Sequence, residues 1–221
     1  MKEAMPDTYT PRFDFNAKVQ DCGREPGVHD YDRAAQAIDW PLVDYSHCPE
    51  TPDQLALNAW LVRQPLAGKR VLHIGCGNSS VARLCGQAVQ VLGVTVAPQE
   101  LAHAQSQQLP NYTAVLCNKH SLEFAQQMRE QQFDIVLDNN IASFACCQRH
   151  LERYMQALCD LLAPDGLILT HWLGMQWTLD VGVDDVETVW KLDADKLQRL
   201  AAAFGLGAQR EGDVFVLQKG T

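Results

Sequence analysis

From residue 70 onward the hydrophobic positions switch repeatedly between two spacings. Val71-Leu72-His73-Ile74 is a short apolar run closed by Gly75, the pattern of a buried strand. Val81, Leu84, Cys85 and Ala88 then recur at helical spacing behind Ser79 or Ser80 as a cap. Residues 90–96 read as a second strand, and Pro98 opens a helix through Leu101 and Ala104. Residues 112–117 form a third strand, followed by a helix from about Ser121 to Gln131. Residues 133–137 are a fourth strand. Leu151, Tyr154, Met155, Leu158 and Leu162 mark another helix, and Pro164-Asp165-Gly166 reads as a turn into a fifth strand at 167–170.

The two ends break this alternation. Asp193 is placed to cap a helix with Leu197, Leu200, Ala201 and Phe204 on one face, stopped by Gly205. A Gly212-Asp213 turn then joins two short runs into a hairpin. At the other end, residues 1–50 are irregular, and six prolines lie between Pro6 and Pro52. Thr51-Pro52-Asp53-Gln54 is a capping box ahead of Leu57, Trp60 and Leu61, a helix expected to end near Pro65. The pattern predicts an α/β fold: a doubly wound, mostly parallel seven-stranded sheet with a C-terminal antiparallel hairpin and an N-terminal helical or irregular cap. Residues 1–66 would be the cap and leading helix, and 67–221 the core of a single overall domain.

Charge narrows the partners. Among 221 residues, 18 Lys and Arg face 27 Asp and Glu, a formal charge of −9. Such a surface repels phosphate backbones and anionic headgroups, so neither nucleic acid nor a membrane is expected as partner. No apolar run reaches the roughly 20 residues of a membrane span, and the polar first residues carry no signal-peptide pattern. A cytoplasmic protein is expected. None of the eight cysteines falls in a C-x-x-C pair. They are expected to be mostly small buried hydrophobes in a reducing compartment, and no metal is expected.

The chemistry is expected at the glycine turn. In a doubly wound sheet, ligands bind at the carboxyl ends of the strands near the switch in chain order. Gly75-Cys76-Gly77 lies at such an end and precedes a helix N-terminus with free N–H groups. Residues 71–79 resemble the first motif of the class I S-adenosylmethionine-dependent methyltransferases. Leu92 to Pro98 resembles that family's second strand and following helix start, Phe133 to Asp138 its fourth strand, and Leu161 to Leu167 its turn before strand five. The upstream Tyr31-Asp32-Arg33 is similar to a lid segment of the family.

The resemblance implies S-adenosylmethionine as cofactor and S-adenosylhomocysteine as product. It implies a cofactor site made by His73, Gly75, Gly77, Asn78, Ser79, Asn118, Asp138 and Tyr31, with Thr95 or Glu100 at the ribose. Three positions depart from the family pattern. His73 and Thr95 stand where the family has an acid, and Ser79 where it has a third small glycine. A carboxylate accepts two hydrogen bonds from a ribose diol; a hydroxyl accepts more weakly. Glu100 offers that carboxylate from the next helix turn. The departures keep open a non-catalytic, methyltransferase-like protein that binds a ligand or partner. A nicotinamide-dependent Rossmann enzyme is a third reading, weakened because Ser80 stands at the last glycine of G-x-G-x-x-G.

Methyl transfer needs alignment and, for a hydroxyl or ammonium acceptor, removal of a proton. His171 directly follows the fifth strand, and an ordinary imidazole pKa suits a general base. Asp138 is a second catalytic candidate, at the end of the fourth strand. Asn139 and Asn140 follow it as candidate contacts to a small-molecule acceptor, although Asn140 or Ser143 can instead cap a helix. Trp172 and Trp177 offer aromatic walls for that acceptor, or core packing. The acceptor atom and the oligomeric state are not legible.

Overall fold

The computed structural model describes residues 9–13, 20–26, 50–143, 145–176 and 191–220. Tyr31, Trp177 and most of the expected cap lie outside the described residues. The described elements are α1 (Pro52–Leu61), β1 (Arg70–Ile74), α2 (Ser80–Leu84), β2 (Gln90–Thr95), α3 (Pro98–Ser106), β3 (Tyr112–Leu116), α4 (Leu122–Met128), β4 (Phe133–Asp138), α5 (Gln148–Leu161), β5 (Leu162–His171), a 3-10 turn (Gly174–Gln176), α6 (Ala194–Ala203), β6 (Leu206–Glu211) and β7 (Val214–Lys219).

The strands form one seven-stranded sheet in the order β3-β2-β1-β4-β5-β7-β6. Strands β1 to β5 pair in parallel, and β7 is antiparallel to both β5 and β6. The chain runs outward from β1 to β3, then returns to β4 on the other side. The switch point therefore lies between β1 and β4, where ligand sites of doubly wound sheets form.

Both faces are covered, which is why the parallel strands are nearly continuously apolar. On one face Leu72, Leu92, Val136 and Ile168 pack with Phe124 of α4, Leu151, Met155 and Leu158 of α5, and Leu197 and Leu200 of α6. On the other, Val71, Val91, Ile135 and Leu169 pack with Leu57, Trp60 and Leu61 of α1 and Val81 of α2. The two sets alternate along each strand, as the two-residue side-chain period requires.

Local signals set the element ends. The Thr51 N–H donates to Gln54 Oε1 at 3.0 Å, as the expected capping box requires. Helix α1 stops at Leu61, before Pro65. Ser121 caps α4 by accepting from Phe124 N at 3.1 Å, and this helix ends at Met128, earlier than expected. Gly205 and Gly212 hold positive φ at the ends of α6 and β6. Two details differ from the sequence expectation. Ser79 holds the N-cap position of α2 but its side chain makes no capping hydrogen bond; the Asn78 Oδ1 accepts the Ser80 N–H at 3.0 Å, while Ser79 sits at φ 61 with its hydroxyl 3.1 Å from that of Tyr112. Pro164-Asp165-Gly166 is not a separate turn. Leu162 already pairs with Phe133, and the next β4 pairing is Leu167 with Ile135, so the extra residues form an irregularity inside β5.

Asp193 caps α6 by accepting from Lys196 N at 2.7 Å. Asp193→Ala should lower unfolding free energy by about 1 kcal/mol. Urea denaturation checks this through a lower midpoint with an unchanged slope.

Candidate active site

Strand β1 delivers the glycine loop. Gly75 and Gly77 adopt φ 72 and 46, a region costly for residues with a Cβ. The Gly75 N–H extends the sheet ladder to Val94 O at 2.7 Å. A Cβ on Gly75 would meet nothing within 4 Å, and one on Gly77 only the Gly75 carbonyl oxygen at 4.0 Å. The loop thus borders open space rather than packed side chains. The non-glycine Ser79 also sits in the left-handed region, a strain its contact with Tyr112 and its N–H bond to Cys76 O at 2.8 Å help offset.

Glu100, in the first turn of α3, reaches back to this loop. Its Oε2 accepts the Gly77 N–H at 3.1 Å and the Thr95 hydroxyl at 2.6 Å. Thr95 Oγ1 in turn accepts the Ala97 N–H at 3.0 Å. Glu100 thus places a carboxylate beside the glycine loop, and the Thr95 hydroxyl holds it there. His73 lies on β1 beneath the loop. Burial pushes its pKa down to about 4 against the opposing pull of the Asp138 charge, so the ring is neutral at physiological pH.

The end of β4 holds a buried charge network. Asp138 is 1% exposed and accepts from Lys119 Nζ at 2.8 Å, the Tyr154 hydroxyl at 2.5 Å and the Asn140 N–H at 3.0 Å. Lys119 also donates to the Asn140 carbonyl at 2.6 Å. Burial pulls the Lys119 pKa below its ordinary value, opposed by the Asp138 charge and hydrogen bonds. With both oxygens engaged, Asp138 organises the end of the sheet rather than standing ready for proton transfer. Asn118 is also occupied: its Oδ1 accepts the His120 N–H at 2.9 Å in the turn after β3.

The ends of β4 and β5 bring Asn139, His171 and Asp53 of α1 together. Asn139 Nδ2 donates to Asp53 Oδ2. Asn139 Oδ1 is buried without a hydrogen-bond partner among the described residues. Asn140 Nδ2 is taken by the Gly174 carbonyl at 2.7 Å. His171 is 3% exposed. Burial lowers its pKa, while the charges of Asp53 and Asp213 oppose that shift. The Leu173 N–H donates to His171 Nδ1 at 3.1 Å. That bond places the proton of the neutral ring on Nε2, so His171 presents an N–H donor. Trp172, the next residue, is 36% exposed.

Sequence reasoning placed Asp138, Asn139, Asn140 and His171 at strand ends, and the structure puts them there. It missed Asp53, Lys119 and Tyr154 as their partners. Asp53 was legible only as a helix-start residue, and Tyr154 only as part of an apolar stripe.

Residues 72–168 match the family model described as "Methyltransferase domain". The segment from β1 into β5 is thus similar to a methyltransferase domain. The chain's fold is shared by several solved structures at low identity. One is magnesium protoporphyrin IX methyltransferase (ChlM) from Synechocystis PCC 6803, solved with bound S-adenosylmethionine: TM-score 0.56, 14% identity, covering 87% of this chain and 95% of that one. The [4+2]-cyclase SpnF matches with TM-score 0.57 and 17% identity over 88% of this chain and 76% of that one. An O-methyltransferase family protein from Burkholderia thailandensis matches with TM-score 0.54 and 13% identity over 76% of this chain, which spans only 56% of that protein. No curated protein matches the chain in sequence. The matched segment contains the glycine loop, Glu100, Lys119 and Asp138.

The Lys119–Asp138 pair is buried on both sides, with side chains 6% and 2% exposed. Lys119→Met should destabilise the protein by about 3–5 kcal/mol, because it leaves a buried carboxylate without its cation. Chemical denaturation measures this; a loss below about 1 kcal/mol, the size typical of an exposed pair, would contradict it.

Proposed function

We propose that this protein transfers the methyl group of S-adenosylmethionine to a small-molecule acceptor in the cytoplasm. The observation carrying the proposal is the open glycine loop at the end of β1, flanked by a carboxylate that reaches Gly77 from α3. Residues 67–221 form the catalytic core on this reading, and residues 1–66, including Tyr31, the cap. Gly75, Gly77, Asn78 and Ser79 hold the methionyl and ribose side of the cofactor. Glu100 accepts the ribose hydroxyls, with Thr95 as its support. Asn118 lies on the adenine side, at the end of β3. His73, neutral, and Asp138 shape the floor between β1 and β4. The chain's net charge of −9 favours a small acceptor over a nucleic acid.

The cofactor, when bound, supplies an electrophilic methyl on a sulfonium, which an acceptor displaces in line. This chain's residues then position the acceptor. Asn139 Oδ1 accepts a hydrogen bond from it, which supplies the partner that this buried atom lacks among the described residues. His171 donates through Nε2–H, and Trp172 and Trp177 provide apolar walls. To serve as the general base expected from sequence, the ring would have to exchange its Nδ1 bond to Leu173 for the acceptor's proton.

A second reading, ligand binding without methyl transfer, draws on the replacement of acids by His73 and Thr95. It is consistent with a fold that SpnF shares as a cyclase. Calorimetry and turnover separate the two.

S-adenosylmethionine should bind the full chain, and Gly77→Val should abolish binding in a protein that still folds. Glu100→Gln should weaken binding about 10- to 100-fold, the worth of a hydrogen bond to a charged group. Unchanged affinity in both folded variants would overturn the cofactor site, and binding without turnover across an acceptor panel would favour the second reading.

Removing one donor costs about tenfold in rate, whereas removing a general base costs about 10²–10⁴-fold. His171→Ala should therefore lower turnover near the smaller figure, and His171→Gln, which keeps an amide donor, should restore most of it. Protonating Nδ1 breaks the Leu173 bond, so turnover should fall on acidification, with its midpoint below the ordinary histidine value because burial lowers this pKa. Asp53→Asn should move that acid limb lower still, since Asp53 favours the charged ring. Loss in His171→Gln as large as in His171→Ala, together with an effect of hundreds-fold, would restore the base assignment.

A further inference from the structure

The chain also brings together four groups that the methyl-transfer site does not use. Cys22 belongs to the described N-terminal segment 20–26. Cys146, Cys147 and His150 come from the start of α5, where Cys147 is the residue before the first helical position. Their three sulfurs and one ring nitrogen all lie within 4.8 Å of one another. Cys22 Sγ is 3.6 Å from Cys146 Sγ and 3.8 Å from His150 Nδ1, and Cys146 Sγ is 2.8 Å from that same nitrogen.

We infer that Cys22, Cys146, Cys147 and His150 form a tetrahedral site for a thiophilic divalent cation, zinc in particular. Zinc held by thiolates at about 2.3 Å and imidazole at about 2.0 Å requires ligand atoms about 3.5–3.8 Å apart. Two of the three measured separations already fall at that spacing, and the Cys146–His150 contact needs to open by only about 0.7 Å to reach it. Three cysteines and one histidine complete the coordination, so the site is closed and its role structural. On binding, each thiol gives its proton to solvent and its sulfur lone pair to the metal. His150 ligates as a neutral ring through Nδ1, leaving the site with one net negative charge.

The surroundings suit that charge and that geometry. Zinc-bound histidines commonly donate their other N–H to a carboxylate. His150 Nε2 is 4.0 Å from Glu25 Oε1, and Arg153 grips both oxygens of Glu25 at 2.6 and 2.7 Å. The N-terminus of the 14-residue α5 adds favourable N–H dipoles beside the sulfurs. The segment carrying Cys22 is already docked: Gln20 O accepts the Arg149 N–H at 2.9 Å, and Asp21 pairs with the Arg149 side chain at 2.9 Å.

The metal would staple the N-terminal segment to the loop that leaves β4. That loop carries Asn139 and Asn140, so the staple would hold one wall of the acceptor crevice. The inference does not depend on the methyl-transfer reading, since its readouts are metal content and spectra.

Full-length protein purified without chelator should contain one zinc per chain by elemental analysis. After stripping, cobalt(II) added alone should give the intense thiolate charge-transfer and tetrahedral ligand-field bands of a sulfur-rich site. Cys22→Ser, on a peripheral segment whose change leaves the core intact, should abolish both zinc retention and these bands. Cys159→Ser, distant from the cluster, should leave them unchanged. Glu25→Gln should weaken zinc about 10- to 100-fold. Three results would overturn the site: no zinc and no cobalt spectrum in folded wild-type protein, equal zinc content in Cys22→Ser, or a Cys22–Cys146 disulfide in protein purified under reducing conditions.

Discussion

A carboxylate buried at the end of β4 cannot stay charged alone, and much of the local architecture follows from meeting that requirement. Asp138 draws Lys119 from the turn after β3, Tyr154 from α5 and the Asn140 N–H from its own loop. These partners come from both sides of the switch point. The network therefore fixes where β4 ends relative to β3 and α5, and it aims the following loop. It forces Asn139 toward α1 and Asn140 toward the Gly174 carbonyl. The end of β4 thus carries groups whose directions are set by electrostatic compensation, not by apolar packing alone.

The glycine loop shows a related economy. With threonine at the end of β2, a carboxylate still borders the loop, because Glu100 lies in the first turn of α3 and folds back. The Thr95 hydroxyl and the Gly77 N–H both point at one Glu100 oxygen. Ser79 adopts left-handed geometry without being glycine, and its hydroxyl contact with Tyr112 helps offset that strain.

Histidines in this fold are tuned by where their nitrogens point. His73 and His120 are kept neutral by burial. His171 sits where a base would be useful, yet one backbone N–H decides which nitrogen carries its proton. His150 turns one nitrogen to three sulfurs and the other to Glu25. The same side chain is thus a neutral floor, a donor and a candidate ligand within one small domain. Sequence position distinguishes none of these roles.

The element order, the parallel sheet with its closing hairpin, and the glycine loop were legible in the sequence, because period-two and helical spacings and turn residues act over short stretches of chain. The capping box at Thr51 and the cap at Asp193 are local for the same reason. Contacts between distant residues were not legible. Asp138 and Lys119 are 19 residues apart, Asp53 and Asn139 are 86, and Cys22 and Cys146 are 124. No spacing rule links such pairs, since their meeting depends on how the sheet is wound and how helices pack on it. The sequence alone therefore determined the order of the strands and helices and the glycine turn at the end of β1. Only the tertiary structure decided the partners of Asp138, the tautomer of His171 and the gathering of three cysteines with His150. Those outcomes follow from long-range burial, which brings charges and thiols together and makes each demand a partner.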